Sequence, residues 1–297
     1  MEFRPFRVEL ATSFRGVTSR SGVLFRGTGP DGNDAWGEYS PFDDYTPERA
    51  GRWWRAAMEA ARGDWPEPVR DMVAVNSIVP EVGPAEASRL AVAGGCRTAK
   101  VKVGGYSSPM QDAARVEAVA GALGPGGKVR IDANGSWDVD DAVRALAELE
   151  LAARRGGLNG LEYVEQPCAT VDELAQLRRR VDTLIAADES IRIPTDPMEV
   201  VRKHAADIII LKVAPLGGVR ACLELAEQVG IPVVVASAME SSVGLAAGIA
   251  LARALPELSY ACGLGTGALL ATDTVRETIV PRDGMLGPVD LDLDVIA

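Results

Sequence analysis

Val129-Arg130-Ile131-Asp132, Leu161-Glu162-Tyr163-Val164-Glu165 and Leu184-Ile185-Ala186-Ala187-Asp188 are three short apolar runs, each closing on an acid and each separated from the next by an amphipathic segment. Short β-rich runs alternating with Ala/Leu-rich amphipathic stretches are the pattern of strand–helix–strand units and a parallel sheet. The alternation continues in both directions. Upstream lie Val73–Ile78 and Thr98–Val103; downstream lie Asp207–Lys212, Val233–Ala236 and a last short run at Ser259–Gly263. Helices are expected at Ala113–Ala122, Val139–Ala153, Val171–Val181, Val219–Gln228 and Val243–Leu255. Periodicity alone does not separate a closed barrel from an open doubly wound sheet. Functional groups gather at the C-terminal ends of several strands in a barrel and at one switch point in an open sheet. Acids on three successive strand ends therefore predict a TIM-like barrel over residues 71–267.

The N-terminal 70 residues read differently. They hold most of the aromatics, short strands such as Val23-Leu24-Phe25, a Gly/Asp turn from Gly27 to Asp34, and a helix at Pro47–Ala61 with Thr46 as its N-cap. Trp65-Pro66-Glu67-Pro68 marks the change of composition. The tail beyond Gly267 is too long to cap a barrel helix. It is expected to run back and complete the small α+β domain, giving a cap of residues 1–70 plus about 268–297.

Composition removes several functions. Lys plus Arg total 31 against 42 Asp plus Glu, a formal charge of −11, which opposes nucleic acid and anionic membrane surfaces as partners. Hydrophobic residues make up 47% and charged residues 25%, an ordinary globular mixture. The one histidine, His204, excludes a multi-histidine zinc site and is expected on a surface helix. Cys96, Cys168, Cys222 and Cys262 form no C-x-x-C pair, so a reduced compartment fits and Cys168 is expected to pack rather than react. No run approaches the about 18 apolar residues of a membrane span, and a cytoplasmic protein is expected. A monomer is compatible with the sequence.

The acids carry the chemistry. A lone strand-end Asp is often a helix cap, but three on adjacent strands make a ligand set. Asp132, Glu165 and Asp188 would offer hard oxygens suited to Mg²⁺, with Mn²⁺ as its substitute. Two lysine positions frame them. Lys100 and Lys102 share one face of their strand by their i, i+2 spacing, and Lys212 ends the run Ile208-Ile209-Ile210-Leu211. Inward lysines in a barrel demand acidic partners or a catalytic use. A metal facing a carboxylate, with a lysine able to take the α-proton, is a proton-abstraction set. Gly263-Leu264-Gly265-Thr266-Gly267 lacks the context of a dinucleotide site and reads as a close backbone approach. Arg130 is expected to steady the site or to form an ion pair inside the barrel.

Lys100-Val101-Lys102, Asp132-Ala133-Asn134, Glu165-Gln166-Pro167, Ala187-Asp188-Glu189-Ser190 and Lys212, in this order, resemble the muconate-lactonising subgroup of the enolase superfamily. Gly37-Glu38-Tyr39-Ser40-Pro41-Phe42, Phe14-Arg15-Gly16 with Arg20-Ser21-Gly22, and Ala238–Gly244 are similar to the o-succinylbenzoate synthase family within it. The resemblance implies a (β/α)₇β barrel with an α+β cap, Mg²⁺ on Asp132, Glu165 and Asp188, and Lys102 and Lys212 as the catalytic pair. It also implies a small dicarboxylate substrate and a lyase reaction of menaquinone biosynthesis, the syn dehydration of 2-succinyl-6-hydroxy-2,4-cyclohexadiene-1-carboxylate. Lys100, Asn134, Arg15, Arg20, Ser237, Ser241 and Gly265 are the expected substrate contacts. The same metal and lysines would serve an N-acylamino acid racemase or dipeptide epimerase, although Gly263–Gly267 holds no Asp-x-Asp of the kind dipeptide epimerases carry. A non-catalytic scaffold would have had no reason to keep every ligand and both lysines.

Overall fold

A computed structural model describes residues 2–14 and 16–293. The chain opens with an antiparallel meander of β1 (Glu2–Phe14), β2 (Val17–Thr28) and β3 (Asp34–Tyr39), backed by α1 (Pro47–Ala60). Thr46 caps α1, its hydroxyl accepting from Arg49 N at 3.4 Å. The helix lies so close to the sheet that a side chain on Gly27 or Gly37 would meet the carbonyls of Ala61 or Ala57 at 1.8 and 1.9 Å. Glycine is needed there for close approach.

The barrel follows. In chain order it comprises β4 (Val73–Ala74), β5 (Ser77–Val79), α2 (Pro84–Ala91), β6 (Thr98–Lys102), α3 (Pro109–Leu123), β7 (Lys128–Asp132), α4 (Val139–Arg155), β8 (Leu161–Glu165), α5 (Val171–Arg178) and β9 (Ile185–Ala187). Then come α6 (Glu189–Arg192), α7 (Glu199–Arg202), β10 (Ile208–Leu211), α8 (Val213–Leu216), α9 (Val219–Val229), β11 (Val233–Val235), α10 (Ser242–Ala254) and β12 (Met285–Leu286). Among the described residues, β5 to β11 form one seven-stranded sheet in sequence order, with parallel neighbours. Odd and even positions separate cleanly. Val101, Ile131, Val164, Ile185 and Leu211 pack outward under the helices, while Tyr163, Ala186, Ile208, Ile210, Val234 and Ala236 form a second cluster inside.

Two expected strands differ. Val73–Ile78 divides, because Val73–Ala74 pairs antiparallel with β12 whereas Ser77–Val79 joins β6. Ser259–Gly263 is no continuous strand; it closes the barrel through single parallel bridges, Val75–Cys262 and Ala236–Gly263. The Ala261 carbonyl is instead taken by Arg130 Nη1 at 2.6 Å. Arg130 is fully buried in the barrel, paired with Glu162 at 2.5 Å and lying over the Tyr163 ring. His204 sits exposed in the turn after α7, with φ of 51°, rather than on a helix.

The tail touches both parts. Leu270 bridges Leu10 and Ala271 N donates to Glu9 O, β12 lies at the foot of the barrel, and Leu291 and Leu293 pack with Leu24, Phe6 and Trp36. Cap and barrel are also fastened by Glu38. Its carboxylate accepts from Ser40 Oγ (2.6 Å), Ser241 Oγ (2.5 Å), Ser241 N (3.1 Å) and Gly244 N (3.0 Å) at the start of α10, where the helix terminus favours an anion. Glu38→Ala is expected to cost about 2 kcal/mol in urea denaturation, the range for hydrogen bonds to a charged group, with Glu38→Gln recovering part of it.

Candidate active site

The site is assembled by register. Lys102 pairs with Asp132 and Asp132 with Glu165 across three neighbouring strands, so one inward row carries a base and two acids at the same height. Asp188 and Lys212 follow the ends of β9 and β10. Lys100 Nζ donates to Asp132 Oδ2 at 3.1 Å and to Glu165 Oε1 at 2.7 Å; Lys212 Nζ donates to Asp188 Oδ2 at 2.7 Å. Lys102 Nζ donates to Asn134 Oδ1, and Asn134 Nδ2 reaches Glu189 Oε1 at 3.2 Å. Asn134, Gln166 and Met239 hold positive φ at 46°, 39° and 64° just past strand ends. Such backbone strain persists where the surroundings fix it, commonly at functional sites.

Electrostatics assign different states to these groups. Burial pulls Lys100 down, but Asp132 and Glu165 outweigh it and hold it above the usual lysine range. Lys100 is therefore held as an ammonium beside these two acids. Burial also opposes ionisation of Asp132 and Asp188. Lys100, Lys102 and Lys212 nevertheless hold Asp132 down at about 2, and Arg192 and Lys212 keep Asp188 well below the carboxylate range. Glu165 goes the other way, pushed up to about 7 by burial and by Asp132 and Asp188 against the pull of Lys100. Cys168, beside this loop, is a buried thiol pushed up to about 12 and is no nucleophile.

In this arrangement each of the three carboxylates gives at least one oxygen to an ammonium or guanidinium group, while Asp132 Oδ1 accepts from Asn134 N at 3.1 Å. Among the described residues no three His, Cys, Asp or Glu side chains stand together closely enough to hold one ion. The donor set itself fits a divalent cation: three buried carboxylates of adjacent strands, two of them sharing one ammonium as their common partner. Across the floor Asp132, Glu165, Asp188 and Glu189 meet Lys100, Lys102, Lys212, Asn134 and Arg192.

Above the floor lies a narrow cleft with about 40 Å³ of free space. One side is charged, with Lys100, Lys102, Asp132, Asn134, Arg192 and Lys212; the other is apolar, with Phe42, Ile78, Val79, Ala236, Ala238 and Met239 and the hydroxyls of Ser237 and Thr266. The chemistry of this lining, charged on one side and apolar on the other, suits a small acid with an apolar ring.

Comparison with known proteins agrees. The family described as "Enolase N-terminal domain-like" matches residues 6–61, and "Enolase C-terminal domain-like" matches residues 84–291. An o-succinylbenzoate synthase from Thermobifida fusca is 57% identical over 287 residues, covering 96% of this chain and 87% of the relative. The chain belongs to the o-succinylbenzoate synthase family of the enolase superfamily. Solved structures share its fold: the L-Ala-D/L-Glu epimerase from Bacillus subtilis, at TM-score 0.82 and 23% identity, covers 98% of this chain and 96% of its own. Muconate lactonizing enzyme from Pseudomonas fluorescens, at TM-score 0.79 and 24% identity, covers 99% and 96%.

For this o-succinylbenzoate synthase family member, the expected substrate contacts are scattered. Lys100 and Asn134 line the cleft, as does Ser237, whose hydroxyl donates to Glu240 Oε2 at 2.6 Å. Ser241 stands away from the lining; fully buried, it caps α10 and donates to Glu38. Gly265 is also outside the lining, a 3₁₀ turn residue with room for no side chain beneath Asn76 O, whereas its neighbours Gly263 and Thr266 face the cleft. Arg15 lies outside the described residues. Arg20 is buried and engaged: Nε donates to Met239 O at 3.3 Å, Nη2 donates to Ser40 O, and the guanidinium stacks 4.1 Å from the Phe42 ring centre. Arg20 thereby ties the cap to the cleft wall. Arg20→Ala, which removes two charge-assisted hydrogen bonds, is expected to lower kcat/KM by at least about tenfold, read by steady-state kinetics.

Sequence reasoning missed four residues. Arg192 and Phe42 line the cleft, and Thr266 brings a buried hydroxyl with no hydrogen-bond partner among the described residues. Gln166, fully buried, joins the segments that follow β8 and β9: its Oε1 accepts from Asp188 N and Ser190 N, both at 3.1 Å, and its Nε2 donates to Ser190 Oγ at 2.7 Å. The i, i+4 spacing of Asp188 and Arg192 was the available signal for Arg192.

Proposed function

We propose that the chain dehydrates 2-succinyl-6-hydroxy-2,4-cyclohexadiene-1-carboxylate to o-succinylbenzoate in menaquinone biosynthesis, as a Mg²⁺-dependent lyase. The supporting observation is the pair Lys102 and Lys212, at the end of β6 and just past the end of β10, with β7, β8 and β9, whose C-terminal ends carry the three acids, between them in a chain of this family. Asp132, Glu165 and Asp188 would hold Mg²⁺, or Mn²⁺ in its place, and the bound ion would supply positive charge to the substrate's ring carboxylate. Lys102, as the neutral amine, takes the proton α to that carboxylate. The C–O bond to the hydroxyl then breaks on the same face, and Lys102 returns its proton to the departing hydroxide, which leaves as water. Lys212 faces the ring from the other side and stabilises the negative charge that develops on the carboxylate. Aromatisation makes the step downhill, so positioning and charge stabilisation carry the catalysis. Ser237, and Arg20 through its hold on Met239 and Phe42, shape the cleft wall, where the succinyl arm would lie among apolar side chains.

We assign residues 1–70 and about 268–297 to the cap and 71–267 to the barrel, and we place the protein in the cytoplasm, acting on a small dicarboxylate. Among the described residues no helix is long and apolar enough to cross a membrane. The test is to measure loss of the cyclohexadiene absorbance beside racemisation of N-succinyl amino acids under identical Mg²⁺. A larger kcat/KM for dehydration is expected; faster racemisation would transfer the assignment to 1,1-proton transfer.

A further inference from the structure

We infer that Tyr45, a residue of the cap, is a positioning residue for the divalent-cation site, acting through Arg192 on Asp188; the inference rests on the reading of Asp188 as a ligand. Asp188 is fully buried, and its two oxygens face different cations. Oδ2 accepts from Lys212, and Oδ1 accepts from Arg192 Nε at 3.0 Å. The same guanidinium donates from Nη2 to Glu189 Oε1 at 2.6 Å and from Nη1 to the Tyr45 hydroxyl at 2.5 Å. A planar group held at three edges cannot rotate, so the orientation of the Asp188 carboxylate is fixed through it.

The third of those holds comes from the other part of the molecule. Tyr45 precedes α1, and its ring is wedged between Phe42, at 5.7 Å between ring centres, and Trp53, at 6.2 Å. Arg52 of α1 adds a second grip on the same segment, donating to Arg192 O at 3.0 Å and Pro194 O at 3.2 Å. The seating of the cap is thereby transmitted to one carboxylate of the barrel floor. Phe42, which stacks on Tyr45, also lines the cleft, so substrate that orders the cap would tighten the hold on Asp188 and on any cation there.

Partners behind metal ligands commonly change metal affinity 10- to 100-fold when removed. Calorimetric titration of Mg²⁺ into the full-length, metal-free protein without substrate tests the coupling. Tyr45→Phe is expected to raise the Mg²⁺ dissociation constant about tenfold, and Arg192→Lys, which cannot reach all three acceptors, by more. The urea midpoint of metal-free Tyr45→Phe should stay near that of the parent, and its kcat should recover at high Mg²⁺, which a general loosening of the fold would not produce. An unchanged or tighter Mg²⁺ constant in Tyr45→Phe overturns the inference. Failure of the unaltered protein to bind Mg²⁺ would overturn the metal reading beneath it.

Discussion

Lys102→Ala is expected to lose turnover about 10⁴-fold, the upper range for removal of a positioned general base, and to lose α-proton exchange in the substrate entirely. Lys102 donates to the Asn134 amide oxygen and lies in register with Asp132 on the strand beside it. Lys100 cannot replace it, because Asp132 and Glu165 hold that ammonium protonated. Lys212→Ala should also be slow but should keep exchange, since the base face is intact. The contrast is diagnostic. In a 1,1-proton transfer enzyme each lysine serves one enantiomer, so both single variants would retain stereospecific exchange, and finding that pattern would refute the dehydration mechanism.

Chelation is the second large effect. Exhaustive removal of divalent ions, or Asp188→Asn, is expected to reduce turnover by at least about 10³-fold, the worth of several kcal/mol of charge stabilisation. The far-ultraviolet circular dichroism should be unchanged under chelation. The barrel's two apolar layers are complete without any ion, and a chain of this size does not need a metal staple. Full activity after chelation would end the enolase-type account.

The barrel was legible because its signals are local. Each strand is a short apolar run with its functional residue at the C-terminal end, and the spacing of Lys100 and Lys102 already places both on one face. What sequence could not show depends on contacts across the fold. The expected strand at Val73–Ile78 breaks because its two ends find different partners, β12 from the distant tail and β6 from the barrel. The run at Ser259–Gly263 reads as a strand, yet its ladder is interrupted where Arg130 claims the Ala261 carbonyl. Arg20 was expected at the substrate from the resemblance of its segment to the o-succinylbenzoate synthase family. It is instead consumed by Ser40 and Met239, a pairing of cap and barrel that no local pattern encodes. Ser241 is read as a contact from its loop, but at the start of α10 its hydroxyl is used by Glu38. Conversely, Arg192 and Tyr45 are 147 positions apart and carry no joint signature.

The most direct test is to incubate the purified, Mg²⁺-loaded protein with 2-succinyl-6-hydroxy-2,4-cyclohexadiene-1-carboxylate and identify the product by NMR. Quantitative appearance of o-succinylbenzoate, with loss of one water and the emergence of aromatic ring protons, is the predicted result. Recovery of unchanged or merely epimerised substrate would contradict it.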